Sequence, residues 1–157
     1  MAELLGHFAS LHLAGNWAMN VLVMPADAAH VEAILPLMAP GERQKLGGAD
    51  LAQVIAASRL SWCALHDGQP MAVGSLTKQG VIWMISTPEL HRQKRFFLRA
   101  SRQVMAAVGA AAPAVRAYVD TSYTRSLRWL RWLGYAQIDR PRELWSGTMV
   151  QALEWRA

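Results

Sequence analysis

The chain has 157 residues, 53% hydrophobic and 17% charged, which is enough for one domain with a real core and too apolar for wholesale disorder. No apolar run reaches the roughly 18 residues of a membrane-spanning helix, and the single cysteine, Cys63, excludes an internal disulfide framework and a cysteine-built zinc site and suits a reducing compartment. The net charge of +5 is unevenly spread: nine basic residues and one acid, Asp120, lie between Arg92 and Arg131, and arginines outnumber lysines thirteen to three.

In chain order, Leu4, Phe8 and Leu11 stand at i, i+4 and i+7, one face of a short predicted helix over residues 2–14. It either packs on its own domain or serves as an oligomer contact or surface-lying anchor. Residues 1–16 are therefore set apart as an N-terminal helical extension of a domain spanning 17–157. Glu3 stands where a secretory leader has its basic start, so no leader is expected. Gly15-Asn16 breaks the helix, and residues 17–24 read as a strand. A helix starting near Ala26 or Asp27 carries the stripe Val31, Ile34, Leu35 and Met38 and is expected to stop at Pro40-Gly41. A turn of helix follows at 42–46. Asp50 then reads as the N-cap of a helix with Leu51, Val54 and Ile55 facing inward.

The periodicity now changes. Residues 61–66 and 70–76 read as strands joined by the hairpin turn Asp67-Gly68, and 81–86 as a third. A helix is expected from His91 to Val108, ended by Gly109 and Pro113, with Phe97, Ala100, Ser101, Val104 and Val108 as its stripe. A strand at 115–119 leads to a helix at 123–133, with Leu127 and Leu130 inward and Arg125, Arg128 and Arg131 outward. Gly134 fits the position just past its end. Strands at 135–139 and 144–155 close the chain, joined by the polar loop 140–143. The fold class is α/β: a mixed, mainly antiparallel sheet with helices on both faces.

Tyr118-Val119-Asp120, with Thr124 to Tyr135 (TRSLRWLRWLGY), resembles the strand, helix and turn that close the GCN5-related N-acetyltransferase (GNAT) domain. Val81 to Pro88, then His91 to Arg102, resembles its central strand and cofactor helix. Within that superfamily these two runs are most similar to a bacteriophage subgroup, which includes the acetyltransferase-like internal virion protein of short-tailed phages. The resemblance covers nearly all of 17–157.

It implies a phosphate cradle for acetyl-CoA with the pattern (Gln/Arg)-x-x-Gly-x-(Gly/Ala), because bare amides at a helix start bind pyrophosphate and glycine lets it approach. Aligned here, the first position is His91 and the glycine positions hold Lys94 and Phe96; shifted by one, they are Arg92, Arg95 and Phe97. The site is a degenerate loop of His91, Arg92, Lys94 and Arg95. The family's cofactor-touching Asn is replaced by Tyr123 and its thiolate-protonating Tyr by Leu130, which cannot act as an acid. Tyr123 and Asp120 remain as the catalytic candidates, Tyr123 only if its side chain turns toward the cleft.

The histidines show no metal-ligand spacing and no metal site is expected. Cys63 reads as a buried apolar residue rather than a nucleophile. Trp62 and Trp83 read as core. Of Trp129 and Trp132, one is expected to pack inward and the other to be partly exposed.

These readings point to a degenerate acetyltransferase fold with no cofactor and no enzyme activity. It would be a structural or assembly protein of a phage particle, located in the virion or in the host cytoplasm during assembly. Its partners would be other particle proteins or itself, docked through Arg125, Arg128, Trp129, Arg131, Trp132 and the Leu4, Phe8 and Leu11 stripe. Two alternatives stand beside it. One is an active acetyl-CoA-dependent N-acetyltransferase. The other is a nucleic-acid-binding module using the Arg92–Arg131 basic region.

Overall fold

The computed structural model describes residues 21–143 and 147–157. The extension 1–16, its Leu4, Phe8 and Leu11 stripe, and the first part of the 17–24 strand lie outside the described residues.

The chain opens with β1 (Val21–Met24) and α1 (Ala28–Ile34), then a 3-10 turn at Leu35–Leu37. The Asp27 carboxylate caps α1 by accepting the His30 N–H at 3.2 Å, and Asp50 caps α3 (Leu51–Ala57) by accepting from Gln53 N–H at 3.0 Å. Between them lies α2 (Pro40–Lys45). Pro40 begins this helix at its first turn, where a missing N–H removes no bond; it is not the stop signal that the sequence suggested.

β2 (Leu60–His66), β3 (Gln69–Leu76) and β4 (Ile82–Ser86) form the expected meander. Asp67 and Gly68 both take positive φ, 49° and 76°, in the hairpin turn. The strands make the antiparallel order β1-β2-β3-β4. After α4 (Pro88–Arg92) and α5 (Lys94–Ala111), β5 (Ala114–Asp120) starts a second antiparallel sheet. α6 (Thr124–Trp132), β6 (Ala136–Gln137), β7 (Arg142–Glu143) and β8 (Met149–Arg156) complete it in the order β5-β8-β6, with β7 also on β8. The expected polar loop 140–143 thus ends in a short paired strand, because Arg142 and Glu143 face Val150 and Met149 across the ladder.

Alternation along β2 and β3 sorts the core into two layers. Trp62, Ala64 and Ala72 face Val104, Val108, Leu130 and Leu153 on one side. Cys63 and Val73 face Val31, Ile34 and Ile55 on the other. The helices therefore cover both faces of the sheet, as expected.

The expected continuous helix from His91 to Val108 differs in two ways. It is interrupted at Gln93, with φ −96° and ψ 45°, and it runs past Gly109 to Ala111. Gly109 is there for packing. A Cβ at this position would come within 2.6 Å of the Trp155 ring, so only glycine lets the helix seat on that indole.

Candidate functional site

The two sheets meet through one parallel bridge, Val81 to Arg116, where the Arg116 N–H donates to Gly80 O at 2.8 Å. Beyond it lies a cleft of about 770 Å³. Its walls are Ile82 and Met84 of β4, Ala117 and Val119 of β5, Phe97 of α5 and Trp129 of α6. α2 supplies Glu42 and Lys45 to the rim.

Tyr123, the residue before α6, does face this cleft. Its hydroxyl donates to Glu42 Oε1 at 2.5 Å and accepts from Lys45 Nζ. The same ammonium lies 4.3 Å from the Tyr123 ring centroid, 3.6 Å from Glu42 Oε1 and 3.9 Å from Asp120 Oδ2. Burial, and then the Glu42 hydrogen bond, push the Tyr123 hydroxyl above the ordinary tyrosine range. Hydrogen bonds from Ser122, including its N–H at 2.8 Å, hold the Asp120 carboxyl below its usual value. The Tyr123 hydrogen bond raises Lys45. The cluster is a protonated phenol between a carboxylate and an ammonium, with a second carboxylate beside them.

Sequence reasoning found Tyr123 and Asp120 and missed Glu42 and Lys45. Asp120 is not the lone carboxylate at the cleft, since Glu42 also lines it and bonds Tyr123, 81 residues away in sequence. No local pattern connects the two positions; only the docking of α2 against the start of α6 does.

The expected cofactor loop is not a loop. His91 and Arg92 form the last turn of α4, and Lys94 and Arg95 the first turn of α5, with Gln93 alone between them. The Gln93 N–H is bonded to the carbonyls of Glu89 and Leu90. His91 lines the cleft, whereas Arg92 turns out to solvent and pairs with Glu89 at 3.1 Å. Leu130, which the resemblance sets at the position of a tyrosine, is buried in the core and lines the cleft.

Trp129 and Trp132 divide as expected. Trp129 is half-buried, stacks at 4.8 Å on Phe97 and donates through Nε1 to Ser101 Oγ at 3.2 Å. Those contacts take it out of the docking surface to which the sequence assigned it. Trp132 is exposed, with the Arg102 guanidinium 4.6 Å from its ring centroid. Arg125, Arg128 and Arg131 are exposed. Trp62 is core, while Trp83 is half-buried in the cleft wall. Cys63 is fully buried, and burial pushes its thiol up to about 12. Among the described residues no three His, Cys, Asp or Glu side chains converge as a metal site.

No protein-family model matches the sequence, and no curated protein matches it. Solved structures do share the layout. A probable GNAT-family acetyltransferase from Chromobacterium violaceum superposes with a TM-score of 0.68 at 15% identity, covering 87% of this chain and 87% of that one. The chain has the GNAT acetyltransferase fold. An aminoglycoside N(6')-acetyltransferase from Legionella pneumophila matches with a TM-score of 0.64 at 10% identity, over 90% of this chain and 94% of that one. A GNAT-family acetyltransferase from Streptococcus pneumoniae gives 0.58 at 11% identity, over 87% and 98%. At these identities the likeness is one of fold.

The GNAT fold implies acetyl-CoA, and the residues present do not fit its pyrophosphate end. A cradle there needs amides free of side-chain bulk. Here α4 leads into α5 with one residue between, Phe96 is buried in the core, and Lys94 and Arg95 bring long side chains.

Proposed function

We propose that the chain is a non-catalytic protein on the GNAT fold, a structural or assembly component of a phage particle that docks to other particle proteins or to itself. The observation that carries the non-catalytic part is the helical α4–Gln93–α5 junction where a phosphate cradle would be, with Phe96 packed into the core. Leu130 supports it from the other wall, because an alkyl group cannot protonate a departing thiolate. The particle role is supported by the resemblance of the β5–α6–Gly134-Tyr135 run to the phage subgroup.

Two measurements test this. Titration of the chain with acetyl-CoA in a calorimeter is expected to show no binding; a micromolar Kd, about 8 kcal/mol, would overturn the non-catalytic reading. Mass spectrometry of purified particles of the encoding phage is expected to find the chain. Its absence from particles would overturn the structural role.

A second reading, an active acetyl-CoA-dependent N-acetyltransferase, is favoured by one observation. Tyr123 presents a hydroxyl between Glu42 and Lys45 inside a cleft of about 770 Å³. The same calorimetry separates the two.

A further inference from the structure

α5 and α6 lie side by side, joined through the Phe97–Trp129 ring contact and the Trp129–Ser101 hydrogen bond. Their outward stripes carry arginine. On α5, Arg95, Arg99 and Arg102 stand at i, i+4 and i+7 and are all exposed. On α6, Arg125, Arg128 and Arg131 are exposed on the side away from buried Leu130. Arg102 over the exposed Trp132 ring bridges the two stripes into one surface.

Neither helix contains an acidic residue. None of the six arginines is within ion-pair distance of a carboxylate among the described residues. Three arginines off these stripes are neutralised, Arg92 by Glu89 at 3.1 Å, and Arg116 and Arg156 by Glu154 at 3.1 and 2.7 Å, and Arg59 is spent on the carbonyls of Ala111 and Lys78. Six of the arginines without an ion pair among the described residues thus gather on one face.

We propose that this α5–α6 face is a sequence-independent binding surface for the phosphate backbone of nucleic acid. Charge complementarity decides the occupant. Arginine and tryptophan also occur in protein interfaces, but six guanidinium groups with no acid on either helix repel a second copy of the same face and match a polyanion, whose phosphates repeat along its backbone. Arginine's planar fork takes two phosphate oxygens at once, which a solubilising lysine does not. The face is separate from the acetyl-CoA question, because these side chains point outward rather than into the cleft walls, Arg125 alone reaching the cleft rim. The proposal does not rest on the particle reading, since it concerns the isolated chain.

The test is fluorescence anisotropy of a labelled random-sequence 20-base-pair duplex with the full chain, across salt. Six phosphate contacts give a log–log salt slope of about −5, so affinity is expected to fall roughly 10³-fold between about 50 and 200 mM salt. The double variant Arg99→Glu/Arg128→Glu, one reversal on each helix, is expected to weaken binding at least tenfold and flatten the slope. Both side chains are exposed and unpaired, so its melting midpoint should match that of the parent. No binding at low salt would overturn the proposal, as would binding that the double variant retains in full. Polyglutamate, used as a labelled competitor in place of DNA, covers the other class of partner. If it binds the face and DNA does not, the surface belongs to an acidic protein and the nucleic-acid assignment is overturned.

Discussion

The Tyr123 hydroxyl donates to Glu42 Oε1 at 2.5 Å, tying the start of α6 to α2 across the rim of the cleft. Lys45 Nζ, one turn further along α2, donates to the Tyr123 hydroxyl oxygen. The three side chains thus fasten the segment before the meander to the segment after it.

Replacing Tyr123 with Phe is expected to remove both bonds while keeping the ring against Lys45. A hydrogen bond to a charged group contributes about 1.5–3 kcal/mol when shielded and less at a part-exposed rim, so a loss of about 1 kcal/mol is expected. In a chain of this size that lowers the melting midpoint by roughly 2–4 °C. Calorimetric or fluorescence melting reads it. An unchanged midpoint would show that solvent replaces the contacts at no cost.

Gly134 takes φ 96° directly after the α6 cap residue Leu133, and its N–H bonds to Arg131 O at 3.0 Å. A side chain there is strained by its backbone, and Ala is expected to cost about 1 kcal/mol. Gly109→Ala has a different cause and a larger effect. Its φ is ordinary, but its Cβ would meet Trp155 Cη2 at 2.6 Å, so helix or indole must move. Overpacking of this kind costs about 1–3 kcal/mol. Urea melts of the two variants should rank Gly109→Ala below Gly134→Ala, and the reverse order would contradict the packing account.

Cys63 is fully buried and its thiol is pushed up to about 12, while an unfolded cysteine ionises near ~8.5. The folded state therefore keeps a proton that the unfolded state releases. Stability is full below about pH 8.5 and falls as pH rises from there toward 12. Tyr135, raised by burial, acts in the same sense at higher pH. Two outcomes follow: the native chain is inert to a thiol-colour reagent at pH 8 and titrates fully in denaturant, and melting at pH 10 occurs below melting at pH 8. Fast labelling of the native thiol would place Cys63 outside the core.

Glu154 on β8 lies between Arg156 and Arg116, whose hydrogen bonds hold its carboxyl below the usual range. A lowered carboxyl means that the unfolded chain binds its proton first. This contribution is therefore present above the ordinary value near ~4.3 and lost as pH falls through the folded value. Glu154→Gln is expected to lower stability at pH 7 and to narrow the difference from the parent at pH 3, as read by paired denaturant melts.

Much of the scaffold was legible from residues close in sequence. Asp27 and Asp50 cap the helices they precede, Asp67-Gly68 makes its hairpin, and Gly134 ends α6. Each depends on a bond or a dihedral angle within about four residues, which the chain encodes locally. Leu130 in place of a tyrosine, and Lys94 and Phe96 in place of glycines, follow from the resemblance, which sets those positions against the family's pattern. Pro40 was misread because proline both ends helices and begins them, and the neighbours that choose are tertiary.

What tertiary structure decided was which distant groups meet. Glu42 reaches Tyr123 over 81 residues, Trp155 lies on Gly109, and Arg102 covers Trp132 and so merges two arginine stripes into one face. Periodicity tells which side of a helix is polar, but it carries no information about the register in which two helices and two sheets come together. That register is set by packing of the whole core, and the cleft, its phenol–carboxylate–ammonium cluster and the arginine face exist only once it is formed.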